Sequence, residues 1–463
     1  MAILPDFSAA QFEPGAPVDN PYFPLPPGTI YSHGGSKVDS ETGETDVERN
    51  NMFVTSETKT IEGIETIVVR DTAYNNGVLV EDTLDWYAQD TEGNVWYFGE
   101  TVQNYIYDDQ GTYVETNNDG SWEAGVDGAV PGWIMKAAPP GFGTAYFQEF
   151  AEGIAEDEAI LASVNQDVSI GFGDFENVIK TIDTSALEPD VGGFKYFAPG
   201  IGEILVEEAP NEQGIPEISV ELTGIREVGE ETDGGDDGDV EYALSDLVEG
   251  QQLPGIQNTD GPDADDFEGD GSAFLINFLS SEGGLNNSIG AYTFDVETGE
   301  FGEGRILFTE TSTLEPGMSV AVTVEEGEAL GIFLVPDGGE LGLDLSQFED
   351  GGLTFINMLT GDPATIEDEL APLIADANGM ALPIQAFHAL GNDDGFNFLN
   401  PAAGVYAVEL DTEATANFEG SETSVIGFEE TLITNPDFDG DYNDVVLGIS
   451  EVSSAGADAM LIA

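Results

Sequence analysis

Asn435-Pro-Asp-Phe-Asp-Gly-Asp-Tyr-Asn-Asp-Val-Val-Leu-Gly-Ile449 sets four aspartates and two asparagines against an apolar run of β-formers. Asp437, Asp439 and Asp441 stand at alternate positions, as in the first half of an EF-hand loop, where oxygen ligands converge on one cation when the backbone curls. The second half departs from that pattern. Tyr442 takes the place of the turn glycine, Gly448 that of the bidentate glutamate, and Val445, Val446, Leu447 and Ile449 favour a strand over an amphipathic helix. The stretch therefore reads as an acidic loop entering a buried β-strand. An Asx-rich surface turn is the plainer alternative. Carboxylates this crowded repel one another unless a cation sits among them, and Ca²⁺ suits such a cage better than Mg²⁺, which holds on to its waters. The candidate ligands are Asp437, Asp439, Asp441 and Asp444, with Asn443 through its amide oxygen and Glu429 from the preceding strand; Phe438 and Tyr442 are expected to face the core or its rim.

The β character extends outward from this strand. Phe274 to Leu279, Arg305 to Phe308, Met318 to Val324, Leu330 to Val335 and Val405 to Leu410 are short apolar segments bounded by turn residues. One helix is expected among them, capped by Thr365, with Ile366, Leu370, Leu373 and Ile374 on one face and an end at Asn378-Gly379. In the N-terminal half, Ile64 to Arg70, Thr83 to Ala88, Asn94 to Phe98 and Ile201 to Val206 read as strands. Asn75-Asn76-Gly77 and Asp90-Thr-Glu-Gly-Asn94 read as hairpin turns, and Pro14 to Pro27 as an extended lead-in. Between the halves, residues 227–270 are rich in Asp, Glu and Gly and read as a solvated linker, with Leu244, Leu247, Leu253 and Ile256 able to dock on a neighbour. The expected organisation is mainly β: two antiparallel β-sandwich or partly closed barrel domains, 1–226 and 271–452, joined by that acidic linker and followed by a tail, 453–463.

The Gly427-Phe-Glu429 element, the Asp-rich loop and Asp441-Tyr-Asn-Asp-Val-Val446, together with Ala386-Phe-His-Ala-Leu-Gly-Asn-Asp-Asp-Gly395 upstream, resemble domain of unknown function 4114 over residues 270–450. The resemblance implies a non-catalytic, calcium-associated, extracellular domain of bacterial proteins exported without a conventional signal peptide. This chain departs from the family's short Gly-Gly-Asp connection after Phe-Glu-Asp, since Glu430 replaces the third residue and Thr431 to Pro436 lengthen the loop. Asn20-Pro-Tyr-Phe-Pro-Leu25 is similar to the start of uncharacterised bacterial proteins, which transfers no activity.

Composition sharpens these expectations. With 92 acidic and 9 basic residues the formal charge is −83, which excludes nucleic acid and anionic membranes as partners. Self-repulsion of this size calls for bound divalent ions, high ionic strength, or both. At 40% hydrophobic and 10% aromatic residues the chain has the apolar content to fold, which separates it from acidic disordered proteins. Cysteine is absent, so cores and ions must supply rigidity. Residues Met1 to Phe12 lack the basic and apolar regions of a signal peptide, and no run of apolar residues is long enough to span a membrane. The bland reading is a cytoplasmic protein of a salt-accumulating organism. The acidic, small-residue tail from Ser453 to Ala463 resembles the C-terminal signals of type I secretion and, with the family resemblance, implies an extracellular or cell-surface location.

Weaker candidates remain. Asp393, Asp394 and Asn397 form a turn that can approach the same cation or hold a second one. His388, one of two histidines, is expected to be structural. Aromatic residues interleaved with acids, from Glu81 to Asp90 and around Trp96, Trp122 and Tyr146, suit either a half-buried sheet or a carbohydrate cleft; in the second case Glu100 and Glu149 are the candidate catalytic pair. No nucleophile elbow, phosphate loop or dinucleotide fingerprint is present. The sequence thus points to a secreted calcium-binding protein with a binding, adhesion or matrix-assembly role, whose partners include extracellular polysaccharide or other copies of itself. The alternatives are an extracellular hydrolase and a surface-layer or filament subunit.

Overall fold

The computed structural model describes residues 2–38, 45–108, 110–137, 142–143, 145–187, 192–208, 216, 218–228, 242–253, 267–390, 397–410 and 423–452. Among them every named strand pairing is antiparallel, the only helices are single 3-10 turns, and no helix is long and apolar enough to cross a membrane. Two compact units result, Met1–Ile106 with Thr116–Val228, and Tyr107–Glu115 with Gly229–Ala463.

The first unit is a nearly closed barrel. Thirteen strands follow one path, in the order Tyr146–Phe147, Asp157–Ile170, Gly173–Ser185, Gly192–Ala198, Gly202–Glu208, Ile218–Glu227, Thr29–Val38, Thr45–Ile61, Ile64–Asn75, Val78–Gln89, Val95–Tyr107, Val130–Met135 and Glu149–Phe150. The two ends of that path, Phe147 and Glu149, are separated in the chain only by Gln148. One short segment thus pairs with Asp157–Ile170 on one side and Val130–Met135 on the other. Gly132 makes this approach possible, because a Cβ there would lie 2.4 Å from the Phe147 carbonyl oxygen and 2.5 Å from the Gln148 carbonyl. Both expected hairpins form. Asn76 and Gly77 have φ of 51° and 84°, the pair of left-handed residues that a tight hairpin turn demands, with Asn75 opposite Val78. At the other, the Asp90 carboxylate accepts the Glu92 and Asn94 amides and the Trp96 indole N–H. The lead-in is not simply extended. Asn20 accepts the Tyr22 amide in an Asx turn that folds Phe23–Pro24 back on Asp19–Asn20 and sets the Phe23 ring 5.4 Å from Tyr87.

The second unit has two principal sheets. One runs Ser319–Thr323, Ala273–Ser280, Val445–Val452, Thr423–Phe428, Ala407–Leu410; the other runs Leu373–Asp376, Leu353–Ile356, Phe301–Phe308, Ser288–Asp295, Glu328–Val335, Phe387–His388. Strand alternation builds the core. Val445, Leu447 and Ile449 share a cluster with Ile276, Ile289, Ile332 and Phe387 from both sheets, while Val446 points to the opposite face. That outer face is covered by Tyr242, Leu247 and Leu253, so the middle of the expected linker docks on the sheet as foreseen and gains one 3-10 turn, Leu244–Asp246. Leu244 itself is exposed, and Ile256 lies outside the described residues.

The helix expected over 365–379 does not form. Pro372 would sit inside it, with no amide to donate and a ring that clashes with the preceding turn. Instead the Asp368 carboxylate accepts the Thr365 amide at 2.9 Å and closes a turn, and Leu373–Asp376 pairs as a strand with Leu353–Ile356.

At the barrel seam, Gly132→Ala forces its methyl into backbone atoms rather than a movable side chain, and is expected to cost about 1–3 kcal/mol. Urea unfolding followed by tryptophan fluorescence measures this; an unchanged midpoint would show that the seam is not closely packed.

Candidate metal centre

Glu429 immediately follows the strand Thr423–Phe428, and Asp444 immediately precedes its partner, Val445–Val452, whose first pair is Phe428 with Val445. Pairing of the two strands therefore brings Glu429 and Asp444 together, although 14 residues of chain separate them. The loop between them folds across the sheet. Gly427 permits this, since a Cβ there would lie 2.4 Å from the Tyr442 carbonyl oxygen. Tyr442 has φ of 55°, the left-handed turn that glycine supplies at the matching place in an EF-hand. For a bulky side chain that conformation is strained, and it is held by burial of the ring and by the hydroxyl donating to the Val405 carbonyl at 2.8 Å.

Carboxylate oxygens of Glu429, Asp441 and Asp444 consequently lie within 4.8 Å of one another, and all three residues are buried. Their surroundings are only partly satisfied. Asp444 Oδ2 accepts the Glu430 amide at 2.8 Å, and Asp441 accepts the amides of Gly250 at 2.6 Å and Asn443 at 3.2 Å. Glu429 Oε2 has no hydrogen-bond partner, although Glu429 is only 1% exposed, and neither amide atom of the Asn443 side chain has one. Burial, then the neighbouring acid, Asp444 for Glu429 and Glu430 for Asp444, pushes the carboxyls of Glu429 and Asp444 well above the usual range; burial also raises Asp441. Two full charges at this separation repel by roughly 3 kcal/mol even with an effective dielectric constant near 20. Three such groups call for protons or a cation. The donors are all hard oxygens, with no thiolate or imidazole among the residues that converge, so the group fits a hard metal ion.

Glu430 plays a different part. Its carboxylate accepts the amides of Gly284 at 2.7 Å and Leu285 at 3.0 Å and the Asn287 side chain at 2.6 Å, so it is fully engaged in tying a neighbouring loop to the site. Glu249, from the docked 242–253 segment, was not legible as a contributor, yet it groups with Asp439 and Asp441 in a second, less buried acidic set. Asp437 is exposed and its amide caps on Asn435. The Asn397 amide is taken up by the Leu390 carbonyl and the Leu399 amide, and Asp393 and Asp394 lie outside the described residues. His388 is buried among Tyr292, Phe301, Phe333 and Phe355, its Nδ1 3.1 Å from the Tyr292 hydroxyl, and burial lowers its pKa to about 3.

Glu100 and Glu149 lie near enough for the charge of Glu149 to act on Glu100. Tyr97, stacked on Tyr87 at 4.9 Å, donates to Asp85 Oδ1 at 2.5 Å, and Glu149 accepts the Trp122 indole N–H at 2.9 Å. Burial, followed by the Glu149 charge, pushes Glu100 up to about 8; burial, followed by Asp157, pushes Glu149 up to about 8.

No protein-family model matches the chain, and no curated protein matches it. The resemblance to domain of unknown function 4114 therefore rests on the quoted motifs alone. Among solved structures, a candidate exported protein with a YmcC-like fold from Bacteroides fragilis is similar over 45% of this chain and 100% of its own, at 13% identity and a TM-score of 0.25. A candidate lipoprotein from Parabacteroides distasonis is similar over 45% and 99%, at 11% identity and a TM-score of 0.24.

The two glutamates carry a pH dependence whose sign is fixed. Their folded pKa values lie above the ordinary one, so the stability they contribute is complete below about 4.5 and is lost as pH rises through about 8. Calorimetry should show the barrel transition falling by several degrees between about pH 6 and 9, where about 1 kcal/mol corresponds to roughly 2–4 °C, and Glu149→Gln should flatten the slope. A transition rising over that range would contradict the assignment.

Proposed function

We propose that this is a secreted, acidic Ca²⁺-binding protein with a binding or assembly role, in which the ion completes the second unit. The observation that carries the reading is the buried group of Glu429, Asp441 and Asp444 with one carboxylate oxygen left without a partner. Ca²⁺ accepts six to eight oxygens in flexible geometry, which suits three carboxylates, an adjacent amide oxygen from Asn443 and nearby carbonyls; Mg²⁺ demands a stricter octahedron and keeps several waters.

The function follows from linkage between binding and folding. Without the ion, the three carboxyls must take up protons or repel, and the loop holding Tyr442 in its left-handed turn loses its reason to stay closed. With the ion, the loop fixes the end of the Val445–Val452 strand, and through the Gly250–Asp441 hydrogen bond it also fixes the 242–253 segment. In a cell interior poor in Ca²⁺ the unit stays loose enough for export; outside, Ca²⁺ at about 100 times its Kd adds roughly 2.7 kcal/mol. A Kd of about 0.1–1 mM is the range of extracellular modules.

Two features favour this reading over hydrolysis. Glu100 and Glu149 are both held towards their protonated forms, whereas a glycosidase needs one of its pair ionised. Glu149 is also committed to the Trp122 indole.

Calorimetric titration of Ca²⁺ into the chelator-treated full chain is expected to show saturable binding, weakened at least tenfold by Asp444→Asn. Melting of the second unit should rise with Ca²⁺ in the parent and not in the variant. Melting indifferent to both Ca²⁺ and chelator would overturn the proposal, and light scattering on Ca²⁺ addition would separate an assembling subunit from a soluble binder.

A further inference from the structure

The barrel of the first unit contains a cavity that the metal centre does not explain. A path of thirteen strands is wide enough to enclose space that a barrel of about eight strands fills with side chains. Here the interior positions include Tyr31, His33, Asn50, Asp71, Lys195 and Glu203, and they surround a cavity of about 520 Å³. That is within the size range of small-molecule sites, about 300–1,000 Å³.

The lining has two components. One is aromatic: Phe23, delivered by the Asn20 turn, lies 5.4 Å from the Tyr87 ring and 6.5 Å from that of Phe197. The other is acidic. Asp71 accepts the Asn50 side-chain amide and is pushed well above the usual carboxylate range by burial and then by Asp85. Glu203, in the lining, approaches Lys195 Nζ only to 4.0 Å, and Asp183, which is not part of the lining, approaches it to 3.8 Å. Around the cavity Glu48, Asp71, Glu203 and Glu208 outnumber the cations Arg49 and Lys195, and the charges of Asp85, Glu100 and Glu149 act on one another nearby. Folding alone gives no reason for this excess of acids, because carboxylates withdrawn from water beyond the number of matching cations cost stability relative to an apolar filling.

We propose that the cavity binds a small organic cation, an ammonium group carried on an apolar body, with Asp71 and Glu203 receiving the ammonium and the Phe23, Tyr87 and Phe197 rings receiving the body. Carboxylates and aromatic faces together are the chemistry that recognises such a group. The chain already uses it internally, holding the Lys59 ammonium 3.5 Å from the centre of the Trp86 ring and that of Lys180 3.4 Å from the centre of Phe194. The charge of −83 adds a long-range field that concentrates cations and repels anions.

The test uses the full chain saturated with Ca²⁺ and three probes of nearly one shape: phenethylamine with its N-trimethyl derivative, the neutral 2-phenylethanol, and the anionic 3-phenylpropanoate. Titration calorimetry is expected to give one-to-one binding of at least one cation, at least tenfold weaker binding of the alcohol, and none of the carboxylate. Asp71→Asn and Glu203→Gln should each weaken the cation at least tenfold. Failure of both cations to bind the parent protein, or equal binding of cation and alcohol, overturns the proposal without reference to whether either variant folds. Undiminished cation binding in both folded variants overturns it as well. Because Ca²⁺ saturation is checked separately, none of these outcomes bears on the metal centre.

Discussion

A carboxylate removed from water must find a hydrogen bond, a cation or a proton, and this chain has far more carboxylates than basic partners. The shortage governs both units. Where a basic side chain is at hand the structure uses it in full, as in the two-pronged contact of Arg70 with Asp82 at 2.9 and 2.7 Å. Elsewhere backbone amides serve. Glu430 and Asp90 accept two amides and a side-chain donor or more each, and both organise loops by doing so.

Among the described residues two places stand out where neither solution suffices. Inside the barrel, Asp71, Asp85, Glu100 and Glu149 are held towards protonated forms by burial, with Lys195 as the ammonium among them. At the ends of two inner strands of the second unit's sheet, Glu429, Asp441 and Asp444 converge where no basic group approaches them within ion-pairing distance among the described residues. The same physical deficit thus gives two different chemistries. A cavity with aromatic walls suits an organic cation, and a compact set of oxygens suits a metal ion. In both cases a bound cation would relieve a cost that the empty fold bears.

The legible part of the fold was local. Asn76-Gly77 fixes a hairpin because two adjacent left-handed residues suit little else, and Val445 to Ile449 alternate as one strand between two apolar faces. Asp441 and Asp444 could be named because their spacing and the strand beside them are local too, whereas Glu429 joins them through the pairing of Phe428 with Val445. The rest depends on partners distant in sequence. Apolar spacing from Ile366 to Ile374 imitates a helix, yet Pro372 and the waiting edge of Leu353–Ile356 turn the segment into a strand. Glu249 and Gly250 reach the acidic loop only because Tyr242 and Leu253 dock on the sheet; the apolar residues of the 227–270 stretch announce docking on a neighbour, but nothing in them announces which face receives it. Asp71 and Glu203 share a cavity only because the barrel's curvature brings their strands together, which no periodicity announces.

The central claim is that Glu429, Asp441 and Asp444 are buried together in order to hold an ion. A crystal structure of the full chain grown with Ca²⁺ tests it most directly. The account predicts one ion about 2.3–2.6 Å from oxygens of all three residues, with Glu429 Oε2 now among its ligands. Well-ordered density in which these three carboxylates hold no ion, while Ca²⁺ occupies only exposed acidic residues elsewhere, would contradict it.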